Sequence, residues 1–230
     1  MFLVSLLEEG GHSLSKISCI PDARLCLYQH ASRHDRLYVA EPSRRACRSP
    51  RKGYRIIFDI RAGLLVTLHP RPQLWLPAKL DDAIQRCRTR RKRFVIFNFG
   101  VYVDSLTIGH SNALILDLEE RIIERYDPAG LTHEEAPINQ LLSQAFPSFR
   151  YVGATAGPRQ GVQRRGADAF EGLCVTFSTM YVLMRLLHPH LAKRQVESLM
   201  IDGSPRALRR RALQLNATMV ETLRRRPAAR

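Results

Sequence analysis

The sequence predicts one α+β domain in which a central mixed sheet packs against helices. Three observations carry this expectation. Short apolar runs of strand type crowd the first two thirds of the chain, helical periodicity takes over from Cys174 onward, and no internal repeat divides the chain. At 230 residues the chain can bury one substantial core, and an apolar fraction of 45% is ordinary for a globular protein. We therefore expect a single domain over 1–230, with an irregular N-terminal extension at 1–50 and a basic C-terminal helix at 205–230.

Residues 1–50 contain Pro21, Pro42 and Pro50 and show no sustained period. "SPRKG" (49–53) reads as a turn that opens the regular part. "YRIIFDI" (54–60) and "LLVTLH" (64–69), separated by "RAG", read as a strand pair. The proline-rich "HPRPQLWLP" follows as a connection. Leu80, Ile84 and Cys87 then recur at helical spacing in 78–90, and Pro77 suits a helix start. "RFVIFNFGVYV" (93–103) is long and apolar enough for a strand buried on both faces. "NALILDL" (112–118) and "RIIERYD" (121–127) flank "EE" as a hairpin. "PINQLLSQAF" (137–146) reads as a short helix, "FRYVGAT" (149–155) as a strand and 157–172 as a loop. Helices at 173–187, about 191–201 and 205–225 complete the chain.

The five cysteines, Cys19, Cys26, Cys47, Cys87 and Cys174, are odd in number and scattered. The opening "MFLVSLLEEGG" places two glutamates where a signal cleavage site should lie. No apolar run approaches the length needed to span a bilayer. The expectation is a soluble, intracellular, unsecreted protein with free, reduced cysteines and no membrane partner.

Cys174 stands at the start of an apolar helix. A cysteine there is ordinarily core filling. A nucleophile needs more: a thiolate, a base, a group to orient the base, and donors for an oxyanion. Helix N-terminal N–H groups and the positive dipole end supply part of this. Among the eight histidines, His188 and His190 lie at the far end of the same helix, about 20 Å away at 1.5 Å per residue. His12, His30, His34, His69 and His133 fall in loops or irregular segments. His110 differs, because it precedes an apolar strand. Asp127 ends the strand that follows, before a proline. By itself Asp127 reads as an Asp-Pro turn initiator. Hairpin pairing, however, would set the start of one strand beside the end of the other and bring His110 to Asp127.

"GHSNALILDLEERIIERYDPAG", then "GPRQ", then "EGLCVTFSTMYVLMRLLHP" resembles the cysteine proteases of large DNA viruses. These are similar in turn to the adenovirus endopeptidase and the SUMO-specific proteases. The chain order His, Asp, Gln, Cys matches that group, whereas papain-like enzymes run Cys, His, Asn. The resemblance covers about residues 90–190. It implies a papain-like, ubiquitin-like-protease-type fold. It also implies His110 as general base, Asp127 as its orienting carboxylate and Cys174 as nucleophile. Gln160 would be the oxyanion donor together with the Cys174 backbone N–H. Two departures stand out. Arg159 separates the glutamine from Gly-Pro, which leaves Gln163 as an alternative donor. Leu173 and Phe177 replace the aromatics usual near the nucleophile. The implied activity is that of a thiol endopeptidase acting on viral structural precursors or on Gly-ending ubiquitin-like conjugates, in a virion or an infected cell.

Cys19, Cys26, His30 and His34 invite a zinc reading. Their C-x₆-C spacing, with only three residues between the pairs, does not suit a metal site, so no metal is expected. No phosphate-binding glycine motif occurs. The charge of +15, from 36 Lys and Arg against 21 Asp and Glu, favours a polyanion or an acidic capsid partner. Arginines cluster at 86–93 and 206–226, which suits non-specific nucleic acid. The resemblance adds DNA as a polyanion cofactor and no other. A different class also fits the charge: a basic virion or nucleic-acid-binding structural protein that retains a protease fold.

Overall fold

The computed structural model describes residues 12–21, 24–28, 54–58, 73–77, 80–102, 109–130, 135–153, 161–165 and 173–225. In chain order these form α1 (His12–Ile17), β1 (Ser18–Cys19), β2 (Arg24–Tyr28), β3 (Tyr54–Phe58), β4 (Gln73–Pro77), α2 (Leu80–Thr89), β5 (Phe94–Tyr102), β6 (Gly109–Asp117) and β7 (Ile122–Tyr126). They continue with α3 (Glu135–Ala145), β8 (Arg150–Val152), a 3-10 turn (Val162–Arg165), α4 (Cys174–Leu187), α5 (Lys193–Met200) and α6 (Pro205–Arg225). The α+β class holds.

The described strands make one mixed sheet in the order β3-β4-β2-β5-β6-β7-β8, with β1 beside β5. β5, β6 and β7 are antiparallel neighbours, while β1 and β2 run parallel to β5 and β8 runs parallel to β7. β5 explains why the sheet is covered on both sides. Its odd positions, Val95, Phe97, Phe99 and Val101, pack with Leu80, Ile84 and Cys87 of α2 and with Ile138, Leu141 and Leu142 of α3. Its even positions Phe94 and Ile96 pack with Tyr181, Val182 and Leu186 of α4 and with Val196 and Met200 of α5. Strand alternation therefore sends one apolar run into two cores. Each fully buried phenylalanine there contributes about 1.5–3 kcal/mol of transfer free energy. α2 and α3 bury residues at i, i+3, i+4 and i+7, as amphipathic helices do.

A third cluster joins Val162, Leu173, Phe177, Leu208 and Ala212. It ties the 3-10 turn and α6 to the first turn of α4. Phe177, a departure from the resembled pattern, is fully buried here, so it anchors the helix that carries Cys174.

Several expectations are corrected. Residues 1–50 are not wholly irregular: α1, β1 and β2 lie within them, and β2 pairs with both β4 and β5. Five-residue strands embedded among prolines leave too few repeats for a period to show. The partner of β3 is β4, within "QLWLP", because Pro77 closes the strand rather than interrupting it. The expected strand at 64–69 lies outside the described residues. Cys19 and Cys87, expected free, form a disulfide. β1 lies along β5, and α2 packs on the same sheet face, which brings the two Cα atoms to 5.8 Å across a sequence separation of 68. Cys19 is therefore not free to ligate zinc. Cys47 and the side chain of Cys26 lie outside the described residues. Among the described residues, no helix is long and apolar enough to cross a membrane.

Candidate active site

The site forms at one end of the β6–β7 hairpin. The register runs from Asp117 opposite Ile122 to Ala113 opposite Tyr126. Continued by one pair, it sets Asp127 opposite Asn112, two residues along β6 from His110. The expected neighbours do meet: His110 Nε2 lies 2.6 Å from Asp127 Oδ1. Asp127 is fully buried, while the His110 side chain keeps 29% of its surface exposed. One end of this pair thus faces the interior and the other faces solvent.

The Asp127 carboxylate is held by three partners. Its Oδ1 faces His110 Nε2 and accepts the Ala129 N–H at 2.9 Å, and its Oδ2 accepts from Arg125 Nη2 at 3.0 Å. The Ala129 bond belongs to a turn closed by the Gly130 N–H donating to the Asp127 carbonyl, with Gly130 at φ 89°. Burial alone would raise the Asp127 pKa. The His110 bond and charge, Arg125 and the Ala129 N–H outweigh burial and hold it below the ordinary carboxylate value.

With Nε2 engaged by Asp127, Nδ1 is the nitrogen left for sulfur. Cys174 and His110 stand close enough for each to shift the other's pKa. Cys174 is partly exposed and begins α4, whose N-cap residue Leu173 offers no side-chain cap and whose first turn holds no acid. The free N–H groups and the dipole end therefore meet the sulfur. Burial opposes the thiolate. The His110 bond, the backbone N–H of Ser111, the imidazolium charge and the Val175 N–H together bring the thiol below its ordinary pKa. Burial likewise disfavours the imidazolium, yet the bonds to Asp127 and Cys174 raise the His110 pKa to about 9. The two shifts describe one event, transfer of the thiol proton to the ring. The arrangement can present a thiolate–imidazolium pair near neutral pH.

Gln160 lies outside the described residues. Its chain neighbour Gly161 packs so tightly on the Asp127 turn that a Cβ there would stand 2.2 Å from Pro128 O and from Gly130 N. Gln163, on the 3-10 turn, donates its backbone N–H to Pro128 O at 3.1 Å. Two residues of this site were not singled out from the sequence. Arg125, fully buried, donates Nε to Asn112 Oδ1 at 2.8 Å as well as Nη2 to Asp127. The signal was present, since Arg125 and Asp127 share a face of β7 by alternation and His110 and Asn112 share one of β6.

His188 and His190 sit together at the far end of α4, with ring centroids 6.4 Å apart, away from Cys174. Among the described residues no group of three or more His, Cys, Asp or Glu could hold a metal ion.

No family model and no curated protein matches this chain. A solved structure described as "SUMO protease Ulp1 with the catalytic cysteine oxidized to a sulfinic acid" is similar to it at 13% identity and a TM-score of 0.29. That likeness covers 63% of this chain and 64% of that one, so the chain spans less than two thirds of that protein's length.

Proposed function

We propose that the protein is a cysteine endopeptidase, with Cys174 as nucleophile, His110 as acid–base and Asp127 as the orienting carboxylate. The observation that carries this reading is the unbroken chain from buried Asp127 through His110 to the partly exposed Cys174 at an uncapped helix start. A thiolate so placed attacks a peptide carbonyl, and the imidazolium then protonates the leaving amine. The Cys174 backbone N–H and a glutamine amide stabilise the oxyanion. Gln160, which lies nearer Gly157-Pro158 than Gln163 does, is favoured as that glutamine.

The substrates are polypeptides: viral structural precursors or Gly-ending ubiquitin-like conjugates, as the motif order and its resemblance imply. The arginine clusters at 86–93, apart from Arg93, which is paired with Asp117, and at 206–226 add a non-specific nucleic-acid surface, with DNA as a polyanion cofactor and capsid proteins as partners in a virion or infected cell. Supporting this are the +15 charge and an exposed face of α6 where Arg206 and Arg210 flank Leu213 beside the half-buried Arg209.

Incubation of wild-type and Cys174→Ala protein with virion precursor polypeptides and with ubiquitin-like conjugates, with and without duplex DNA, tests the reading. Cleavage by wild type alone is expected. No cleavage of either substrate class under any condition, with Cys174 no more reactive than an ordinary thiol, would leave the basic structural protein as the better account.

A further inference from the structure

Burial of a whole guanidinium requires a reason, and the hairpin supplies one at Arg125. This side chain is fully buried, and its fork reaches both Asn112 and Asp127: Nε donates to Asn112 Oδ1 at 2.8 Å and Nη2 to Asp127 Oδ2 at 3.0 Å. Asp127 therefore lies between two cations, with one oxygen toward His110 and the other toward Arg125. A cleft histidine needs only one carboxylate oxygen for orientation. The second oxygen, in a dry site, would otherwise favour protonation of the acid.

We propose that Arg125 is a positioning residue that acts through Asp127. It fixes the carboxylate plane toward His110 and keeps the acid ionised, which sets the acid limit below which the enzyme fails. This inference rests on the endopeptidase reading. Asn112 belongs to the same device. It holds the guanidinium through its oxygen without taking its charge, as a neutral acceptor does and a carboxylate would not. Its Nδ2 is buried with no hydrogen-bond partner, so the Arg125 bond keeps the amide there against the cost of an orphaned donor.

The groups facing Asp127 are His110, Arg125 and the Ala129 N–H, and the buried Tyr126 hydroxyl also feels its charge. Among these, Arg125 is the cation that does not depend on a proton from Cys174. If its charge is removed or neutralised, Asp127 protonates at higher pH. The imidazolium then loses its counter-charge, and the thiolate collapses to the thiol.

The test is the pH profile of iodoacetamide labelling at Cys174, read in wild type and three variants, with folding checked by circular dichroism. Arg125→Gln removes the charge. Asn112→Asp keeps an oxygen acceptor for Arg125 Nε but neutralises the guanidinium. Arg125→Lys keeps a cation without the fork. Arg125→Gln and Asn112→Asp should each move the acid limb upward by about one pH unit or more, as expected for an opposite charge lost within a few ångströms. Arg125→Lys should fall between wild type and Arg125→Gln. Labelling slowed equally at every pH, with the limb unmoved in folded Asn112→Asp or Arg125→Gln, would make Arg125 merely structural and overturn the proposal. Where Arg125→Gln does not fold, Asn112→Asp decides. A wild type with no thiolate near neutral pH would instead overturn the endopeptidase reading.

Discussion

Two buried arginines meet the β6–β7 hairpin at opposite ends, and their surroundings differ in one respect. Arg185, from α4, donates Nε to Glu124 Oε2 at 2.9 Å and Nη1 to the carbonyls of His188 and Pro189. Tyr181 also donates to Glu124, and Arg93 meets Asp117 through both Nε and Nη2. Every one of these charges is held within the protein. At the other end Arg125 holds Asp127, Asp127 holds His110, and His110 reaches Cys174, where the chain ends at a partly exposed sulfur. The Arg185 end also places a cation where the C-terminal dipole of α4 favours one, and the Cys174 end places a thiol of lowered pKa where the N-terminal dipole favours an anion. The comparison teaches that a buried charge cluster becomes chemistry when one member is left for a substrate to complete. A closed cluster is architecture.

The sharpest way to break the comparison is at the open end. Cys174→Ala should abolish peptide cleavage while the circular dichroism spectrum stays that of wild type. Cys174→Ser should be nearly as inactive, because a hydroxyl does not supply the thiolate. Next in size is Asp127→Asn, which keeps the shape but loses the counter-charge. A fall of roughly 10²–10⁴ in kcat/KM is expected, measured on any cleaved peptide.

At the closed end the signature reverses. Glu124→Gln removes the nearer of two carboxylates from buried Arg185, leaving Asp117 at 3.7 Å, and should cost about 1–3 kcal/mol in denaturant unfolding. The labelling rate of Cys174 in the protein that remains folded should not change. A change in Cys174 reactivity from this variant would show that the two ends are coupled, against the account. The disulfide ranks below it. Cys87→Ser should lower stability by about 2–4 kcal/mol, and Cys174 should keep its low pKa.

The pH dependence follows from His110. Its folded pKa of about 9 lies above the ordinary 6.5, so the ion pair's stabilisation is complete below 6.5 and is lost as pH rises through about 9. Cleavage should fall over that same rise, since the leaving amine then lacks its proton donor. A basic limb near 6.5 would contradict the assignment.

The sequence made much of this legible, and the parts it hid have physical reasons. β5 and the hairpin were readable because their apolar runs are long. His110, Asp127 and Cys174 were readable because hairpin pairing and a helix start constrain where they can go. β2 and β4 were missed because each spans only five residues and prolines stand near them. The Cys19–Cys87 bridge was missed because it depends on packing across 68 residues. Arg125 was missed because a charged residue in an apolar strand reads as an outward face until the partner strand's register is known. Asn112 was missed for the same reason, sitting in β6 between Ser111 and Ala113 as one polar residue in a buried run.

The central claim is that Cys174 and His110 form a thiolate–imidazolium pair before any substrate binds. Ultraviolet thiolate absorbance tests it most directly, followed against pH as the difference between wild type and Cys174→Ala. A thiolate already present near neutral pH is expected, with His110→Ala returning Cys174 to the ordinary thiol range. A Cys174 that titrates in the ordinary thiol range in wild type, and is indifferent to His110→Ala, would contradict it.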